Sequence, residues 1–242
     1  MTEAEWRVCA DPDQMLEILA GTATDRKLRW FTSACCRRLW QHISAPCSRH
    51  VVELIEQVAD GAPLEAGLAA ASQEAMAFAE SPEGSSSETV CSAAFMAADA
   101  VPHYPGELLI YVATRTVGTA GNTSYWSARE MTDPSDYPVV MRDDLTGETH
   151  RVAEAAAQSA LLRDIFGNPF RPVAFEAAWR TSDVMLLAQG IYDAKAFDRM
   201  PILADALQDA GCNNTDVLDH CRNSDAPHVR GCWAVDLVLG KE

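Results

Sequence analysis

Apolar residues recur at steps of three and four along the segment that follows Thr24, and this spacing constrains the fold of the 242-residue chain more than any other feature. Residues at these steps share one face of an α-helix. The same spacing returns after Pro46 and after Arg151. The first stripe consists of Leu28, Phe31, Cys35, Leu39 and Ile43.

The pattern along the rest of the chain predicts an all-α, multi-helix globular domain. Alanine, the strongest helix former, is concentrated in residues 62–79, 93–100 and 153–160. Residues 118–150 are rich in turn-forming residues and predict a small irregular or β excursion, in which a short hairpin around Val139–Met141 is one option.

These patterns divide the chain into three parts. We expect an N-terminal helical part over residues 1–117, the excursion over 118–150, and a C-terminal helical part over 151–242, whose last helix runs from Val229 to Leu239. Neither helical part alone carries enough apolar helices to bury its faces, so we expect the two to pack as one core.

The charge of the chain excludes some function classes. It has 35 Asp and Glu against 19 Lys and Arg, a formal net charge of −16, which repels nucleic acids and anionic membranes. It contains no apolar run long enough to span a bilayer, and its first residues lack the features of a secretory signal. We therefore expect a cytoplasmic protein with eight reduced cysteines, no membrane contact and no nucleic-acid partner.

Two blocks of motifs carry a family resemblance. The N-terminal block contains ACCRRLW at residues 34–40, and the C-terminal block contains LLRDIFGNPFRP at 161–172 and HVRGCW at 228–233. Together they resemble a group of uncharacterised proteins from planctomycete-type bacteria. The resemblance implies no activity, because none is assigned to that group.

A cluster of cysteine and histidine near the C-terminus is the best candidate site. It comprises Cys212, His220, Cys221, His228 and Cys232, and thiolate and imidazole are the ligands that zinc prefers. On a helix, His228 and Cys232 would share a face, whereas the adjacent His220 and Cys221 diverge, so that only one of these two could join. The predicted metal ligands are Cys212, Cys221, His228 and Cys232.

The alternative interpretation of this cluster is structural, and the residues alone favour it. Buried cysteines behave as small hydrophobic residues, and His228 can form local hydrogen bonds. No cofactor is then required, and zinc remains the alternative.

Two weaker catalytic patterns are also present. Cys36 precedes Arg37 and Arg38, which could lower its pKa and make the thiol reactive. Arg37 with His42, and Arg222 with His228, match the loose arginine–histidine spacing of some helical ribonucleases.

The sequence thus supports several function classes. The first hypothesis is a non-enzymatic, acidic helical module that binds another protein, because no complete catalytic constellation is present and the acidity suits a basic partner. The alternatives are an enzyme of unknown class with its site between the two blocks, and a protein that binds zinc or a small molecule.

Overall fold

The computed structural model describes residues 1–63, 65–85, 118–123 and 140–241. The predicted all-α class is confirmed, because the described residues form helices and no strand. In the first half the helices include α1 (Glu3–Val8), α2 (Pro12–Leu19), α3 (Asp25–Arg38), α4 (Pro46–Ala59) and α5 (Glu65–Ala79), and residues 118–123 are also helical. In the second half they are α6 (Val140–Phe166), α7 (Ser182–Ala194), α8 (Met200–Asp209), α9 (Thr215–Arg222) and α10 (Trp233–Leu239).

The chain divides into two compact units. Unit 1 comprises Met1–Val8 and Ala160–Glu242, and unit 2 comprises Cys9–Ser159. This division groups residues 1–8 with the C-terminal part of the chain, whereas the sequence predicts them in the N-terminal helical part. The predicted single core of the two helical parts stays a prediction.

In unit 2, α3 packs against α4 and α4 packs against α5. The five side chains of the predicted apolar stripe are all buried, as expected, but α3 ends at Arg38, so Leu39 and Ile43 lie beyond the helix that the stripe predicts. The polar residues before α2 and α3 cap them: Asp11 Oδ1 accepts hydrogen bonds from the Asp13 and Gln14 amides, and Thr24 Oγ1 accepts one from the Lys27 amide. Such caps satisfy amides that have no partner within the helix.

Unit 2 also contains an ion pair whose carboxylate is buried and whose arginine reaches the surface. Arg38 approaches the Glu154 carboxylate in bidentate geometry, with Nη2 at 2.9 Å and Nε at 3.1 Å from its oxygens. Glu154 is only 3% exposed, and Gln158 Nε2 donates a further hydrogen bond of 3.0 Å to its Oε1. A buried carboxylate is tolerated because these donors replace its hydration.

The expected excursion differs from the structure. Residues 118–123 and 140–150 are helical, so the irregular conformation predicted over 118–150 and the hairpin around Val139–Met141 are wrong for the described residues. Residues 124–139 of the predicted excursion lie outside the described residues. Gly147 is typical of a turn, but it lies inside α6, where glycine costs only about 1 kcal/mol relative to alanine.

In unit 1, α8 packs against α9 and α7, and α7 packs against α10. The N-terminal helix α1 joins this unit through Trp6, which is buried and donates a hydrogen bond of 3.1 Å from Nε1 to the Gly167 carbonyl. Asn168 Nδ2 also donates to Glu3 Oε1, over 2.9 Å. Asn214 caps α9, because its Oδ1 accepts a hydrogen bond from the Val217 amide.

Gly167 ends α6 in a left-handed conformation, with a φ of +67°, and its Cα faces the indole of Trp233. A Cβ at this position would lie 3.1 Å from Trp233 Cγ. We expect Gly167→Ala to lower the free energy of unfolding by about 2 kcal/mol or more, from backbone strain and from the contact with Trp233. Urea denaturation measures this loss.

Gly211→Ala is the matched control for this substitution. Gly211 also lies in unit 1 and has a φ of +89°, but a Cβ there would meet no atom within 4 Å. The stability lost in this variant therefore measures the backbone strain alone, without a steric contact. Equal losses for the two variants would contradict the tight contact between Gly167 and Trp233.

Candidate metal centre

The site in unit 1 is built around a carboxylate that lies on the buried, apolar side of α6. Asp164 is 1% exposed, and its neighbours Leu161, Leu162 and Ile165 are buried core residues. Burying a carboxylate is costly unless several polar groups replace the water it loses. The partners of Asp164 come from α9 and from the loop before α10.

Four potential metal ligands converge at this carboxylate. The ligand atoms of Asp164, His220, His228 and Cys232 all lie within 4.8 Å of one another. Asp164 Oδ1 is 2.8 Å from His228 Nδ1 and 3.2 Å from His220 Nε2. Cys232 Sγ is 3.2 Å from His220 Nε2 and 4.0 Å from His228 Nδ1. Ordinary zinc–ligand bonds place the corners of a tetrahedron roughly 3.3–3.7 Å apart, and the four distances, from 2.8 to 4.0 Å, lie on either side of this range, so small side-chain shifts would be needed for tetrahedral coordination.

The loop that carries two of the ligands is fixed by backbone hydrogen bonds. Asp164 Oδ2 accepts the Val229 amide over 2.9 Å, which leaves Oδ1 facing the cluster. Arg230 donates to the carbonyls of Tyr192 and Asp193 at the end of α7. These bonds hold His228 and Cys232 in place before α10 begins.

The partners of His228 determine where its protons lie. Nε2 is 3.3 Å from the Asn223 carbonyl and Nδ1 is 2.8 Å from the Asp164 carboxylate. A carbonyl and a carboxylate accept hydrogen bonds but donate none. With the single proton of the neutral ring on Nε2, facing the Asn223 carbonyl, Nδ1 presents its lone pair beside Asp164, as a metal ligand would. The bond to Asn223 is the kind of outer contact that orients a metal-bound histidine.

The electrostatics of the cluster suit a cation. Burial alone raises the pKa of Asp164, but the hydrogen bonds and charges of His220 and His228 outweigh burial, and the pKa lies below its ordinary value. Burial, followed by the Asp164 charge, raises the pKa of the Cys232 thiol well above its ordinary value. A coordinated metal ion reverses this effect, because it deprotonates the thiol that binds it.

Aromatic rings cover one side of the cluster. The rings of His220 and His228 are edge to face, with centroids 4.9 Å apart, and the Trp233 ring is 5.0 Å from that of His220. The side chain of His228 is 5% exposed and that of His220 is 15% exposed. The four ligands are therefore largely shielded from solvent.

The structure brings together only part of the predicted ligand set. His228 and Cys232 belong to the cluster. Cys212 and Cys221 are buried but lie outside it, and burial raises the pKa of Cys221 to about 12. Of the adjacent pair His220 and Cys221, it is the histidine that joins.

The predicted geometry of the His228–Cys232 pair is wrong. The sequence predicts both residues on one face of a helix over Val229–Leu239, but α10 begins at Trp233. The physical reason is Gly231, whose φ of +88° breaks any helix that would run through it. The two side chains meet because the loop folds back onto Asp164.

Asp164 is absent from the predicted ligand set, although the chain contains a signal for it. It lies between Leu162 and Ile165, inside an apolar run that predicts a buried helix face. A carboxylate at such a position needs a partner. The adjacent Arg163 suggests instead that Asp164 belongs to an ion pair at the surface, so the need for a buried partner is not recognised from the sequence.

The residues of the weaker catalytic patterns have structural roles. Burial raises the pKa of Cys36 to about 12, despite the lowering effect of Arg37, and so disfavours a thiolate there. Arg37 forms a bidentate pair with Glu56, at 2.8 and 3.0 Å. Arg222 donates to Asp205 and Gln208 on α8.

Thiol labelling of the native protein tests the burial of these cysteines. The seven described cysteines form no disulfide with one another, and Cys9 and Cys47 are only partly buried. We expect these two to react quickly with a thiol reagent and the five buried ones to react only after denaturation. Mass spectrometry of the labelled peptides identifies each site, and rapid labelling of Cys35 or Cys221 would contradict the burial.

Comparisons with known proteins give no match: no protein-family model, no curated protein and no solved structure matches this chain. Within the ranges that the structure describes, no helix is both long and apolar enough to cross a membrane.

Proposed function

We propose that unit 1 is a zinc-binding module whose metal ion is held by Asp164, His220, His228 and Cys232. The observation that carries this proposal is the convergence of four ligand atoms within 4.8 Å. Zinc is the favoured ion, because mixed imidazole, thiolate and carboxylate ligands in a tetrahedral arrangement suit it.

The role of the ion in this proposal is structural. Catalytic zinc sites keep one coordination position for water or substrate, whereas structural sites fill all four with protein ligands. Here four protein side chains could supply all four positions, and two of them, Asp164 and Cys232, are fully buried. A bound ion would join α6, α9 and the loop before α10.

Metal analysis of the purified protein tests the proposal. The protein is produced without an affinity metal or chelator, and zinc is measured by mass spectrometry of the elements. We expect one zinc ion per chain in the wild type and loss of most of it in His220→Ala and Cys232→Ser. Replacement by cobalt should give the visible absorption of a tetrahedral ion and a thiolate charge-transfer band that is absent in Cys232→Ser.

Cys212→Ala and Cys221→Ala are the matched controls. Both residues are buried cysteines of unit 1, and Cys221 is adjacent to His220, but neither belongs to the cluster. Both variants should keep their zinc. Loss of zinc in these controls, or substoichiometric zinc that no cluster variant changes, would overturn the proposed ligand set.

A further inference from the structure

Two of the four proposed zinc ligands, His228 and Cys232, lie on either side of a β-turn. The Cys232 amide donates a hydrogen bond of 3.0 Å to the Val229 carbonyl, and Gly231 has a φ of +88°, which suits the third residue of such a turn. Arg230 is the second residue of the turn. It therefore lies midway between the two ligands along the chain.

The side chain of Arg230 reaches the C-terminal end of α7. Its Nε donates a hydrogen bond of 3.1 Å to the Tyr192 carbonyl, and its Nη2 donates one of 3.0 Å to the Asp193 carbonyl. The guanidinium carbon also lies 5.2 Å from the centroid of the Tyr192 ring. Because Tyr192 is buried, this end of α7 offers the arginine a fixed surface.

These contacts satisfy carbonyl groups that α7 cannot satisfy by itself. The last carbonyls of a helix have no partner within it, and the helix end carries a partial negative charge. In α7 the Ile191 carbonyl accepts backbone amides from the residues that follow the helix, whereas the carbonyls of Tyr192 and Asp193 accept the guanidinium. Arg230 therefore caps α7, and its positive charge strengthens both hydrogen bonds.

The turn that carries the two ligands is thus fixed at two points. On one side the Val229 amide is bonded to Asp164, and on the other side Arg230 is bonded to α7, a helix that contributes none of the four ligands. Loss of the Arg230 contacts would leave the turn held by the ligand cluster alone. Cys232 would then move away from the ion more often, because its backbone is less constrained. Outer contacts that orient metal ligands commonly change metal affinity roughly ten- to a hundredfold.

We propose, given the zinc-binding function proposed for unit 1, that Arg230 is a positioning residue that controls how tightly the ion is held and how fast it exchanges. The end of α7 then takes part in retaining the metal although it supplies no ligand. Whatever separates Arg230 from the last turn of α7 would promote release of the ion.

Measurements of zinc affinity and zinc release with the full chain test the proposal. Arg230→Met removes the hydrogen-bond donors, and its Kd for zinc is measured by competition with a chromophoric chelator at a temperature where the variant is folded. We expect this Kd to rise roughly ten- to a hundredfold and release of zinc into excess chelator to become faster. The cobalt-loaded variant should keep its tetrahedral absorption and thiolate band, because all four ligands remain.

Arg180→Met is the matched control, because Arg180 forms the same kind of cap elsewhere in unit 1. Its Nε and Nη2 donate hydrogen bonds of 3.0 and 2.8 Å to the carbonyls of Val238 and Leu237, and its guanidinium carbon lies 5.1 Å from the centroid of the Phe175 ring. These carbonyls belong to the end of α10, whereas Cys232 precedes its start. Arg180→Met should lower Tm through the lost cap but leave the Kd for zinc unchanged.

Arg230→Lys is a second variant that retains the charge. An ammonium group lacks the planar fork with which a guanidinium matches two carbonyls, so the Kd of this variant for zinc should lie between those of the wild type and Arg230→Met. A zinc-binding wild type together with an Arg230→Met variant of unchanged Kd and release rate overturns the proposal, as does an equal loss of affinity in Arg180→Met. A wild type that binds no zinc overturns the zinc-binding function itself, and the role of Arg230 with it.

Discussion

A chelator is expected to lower the free energy of unfolding of unit 1 by about 4 kcal/mol when free zinc is about a thousandfold above its Kd. The reason is that the folded cluster presents all four ligands together, whereas the unfolded chain does not. For a unit of this length, such a loss lowers Tm by roughly 15–30 °C. Melting curves with and without chelator measure it.

The cluster variants should respond differently. His220→Ala and Cys232→Ser are expected to melt near the temperature of the chelated wild type and to be insensitive to chelator. Cys212→Ala is less stable from lost packing but should keep its chelator sensitivity, because it lies outside the cluster. If chelator leaves the wild-type Tm unchanged, the cluster is a hydrogen-bonded network, and His228→Ala should then cost only about 1 kcal/mol.

The second large effect is expected at the buried carboxylate of Glu154 in unit 2. Arg38→Met removes the bidentate partner of Glu154, whose carboxylate stays 3% exposed, and should lower the free energy of unfolding by about 3–5 kcal/mol. The cause is the uncompensated buried charge more than the loss of attraction between the two groups. Denaturant unfolding of the variant measures this loss.

A double variant separates these two causes. Arg38→Met combined with Glu154→Leu removes both charges and should recover most of the stability that the single substitution loses. Arg37→Met is a neighbouring control, because its partner Glu56 is 13% exposed and remains better hydrated. It should cost less than Arg38→Met. A double variant no more stable than Arg38→Met would contradict the explanation by buried charge.

Local signals in the sequence predict much of this fold. The burial of the apolar stripe that begins at Leu28 is confirmed, and Asp11, Thr24 and Asn214 cap the helices that follow them, because each of these features depends on residues within one or two helical turns. The start of α6 and the start of α10 are not predicted. At both, a glycine is the misleading signal: Gly147 is tolerated inside a long helix, and Gly231 interrupts a short one.

The candidate site is predictable only in part, for a related reason. Residue type and spacing single out His228 and Cys232, but Asp164 is 64 residues from His228. Nothing local indicates that α6 turns its carboxylate towards that loop. A protein partner, a cytoplasmic location and the resemblance to a planctomycete-type family stay predictions.

The wide separation of the ligands along the chain bears on the order of events in folding. In small zinc modules the ligands are close in sequence, and the metal can assemble the site from an unfolded peptide. Here α6 must meet the C-terminal loop before all four ligands are in place. Bringing together residues 64 positions apart has an entropic cost, and the ion cannot offset this cost before the site exists. A bound zinc ion would therefore change the folding rate little and slow unfolding greatly. The metal would set the lifetime of the native state, and its own residence time would be set by how often unit 1 opens.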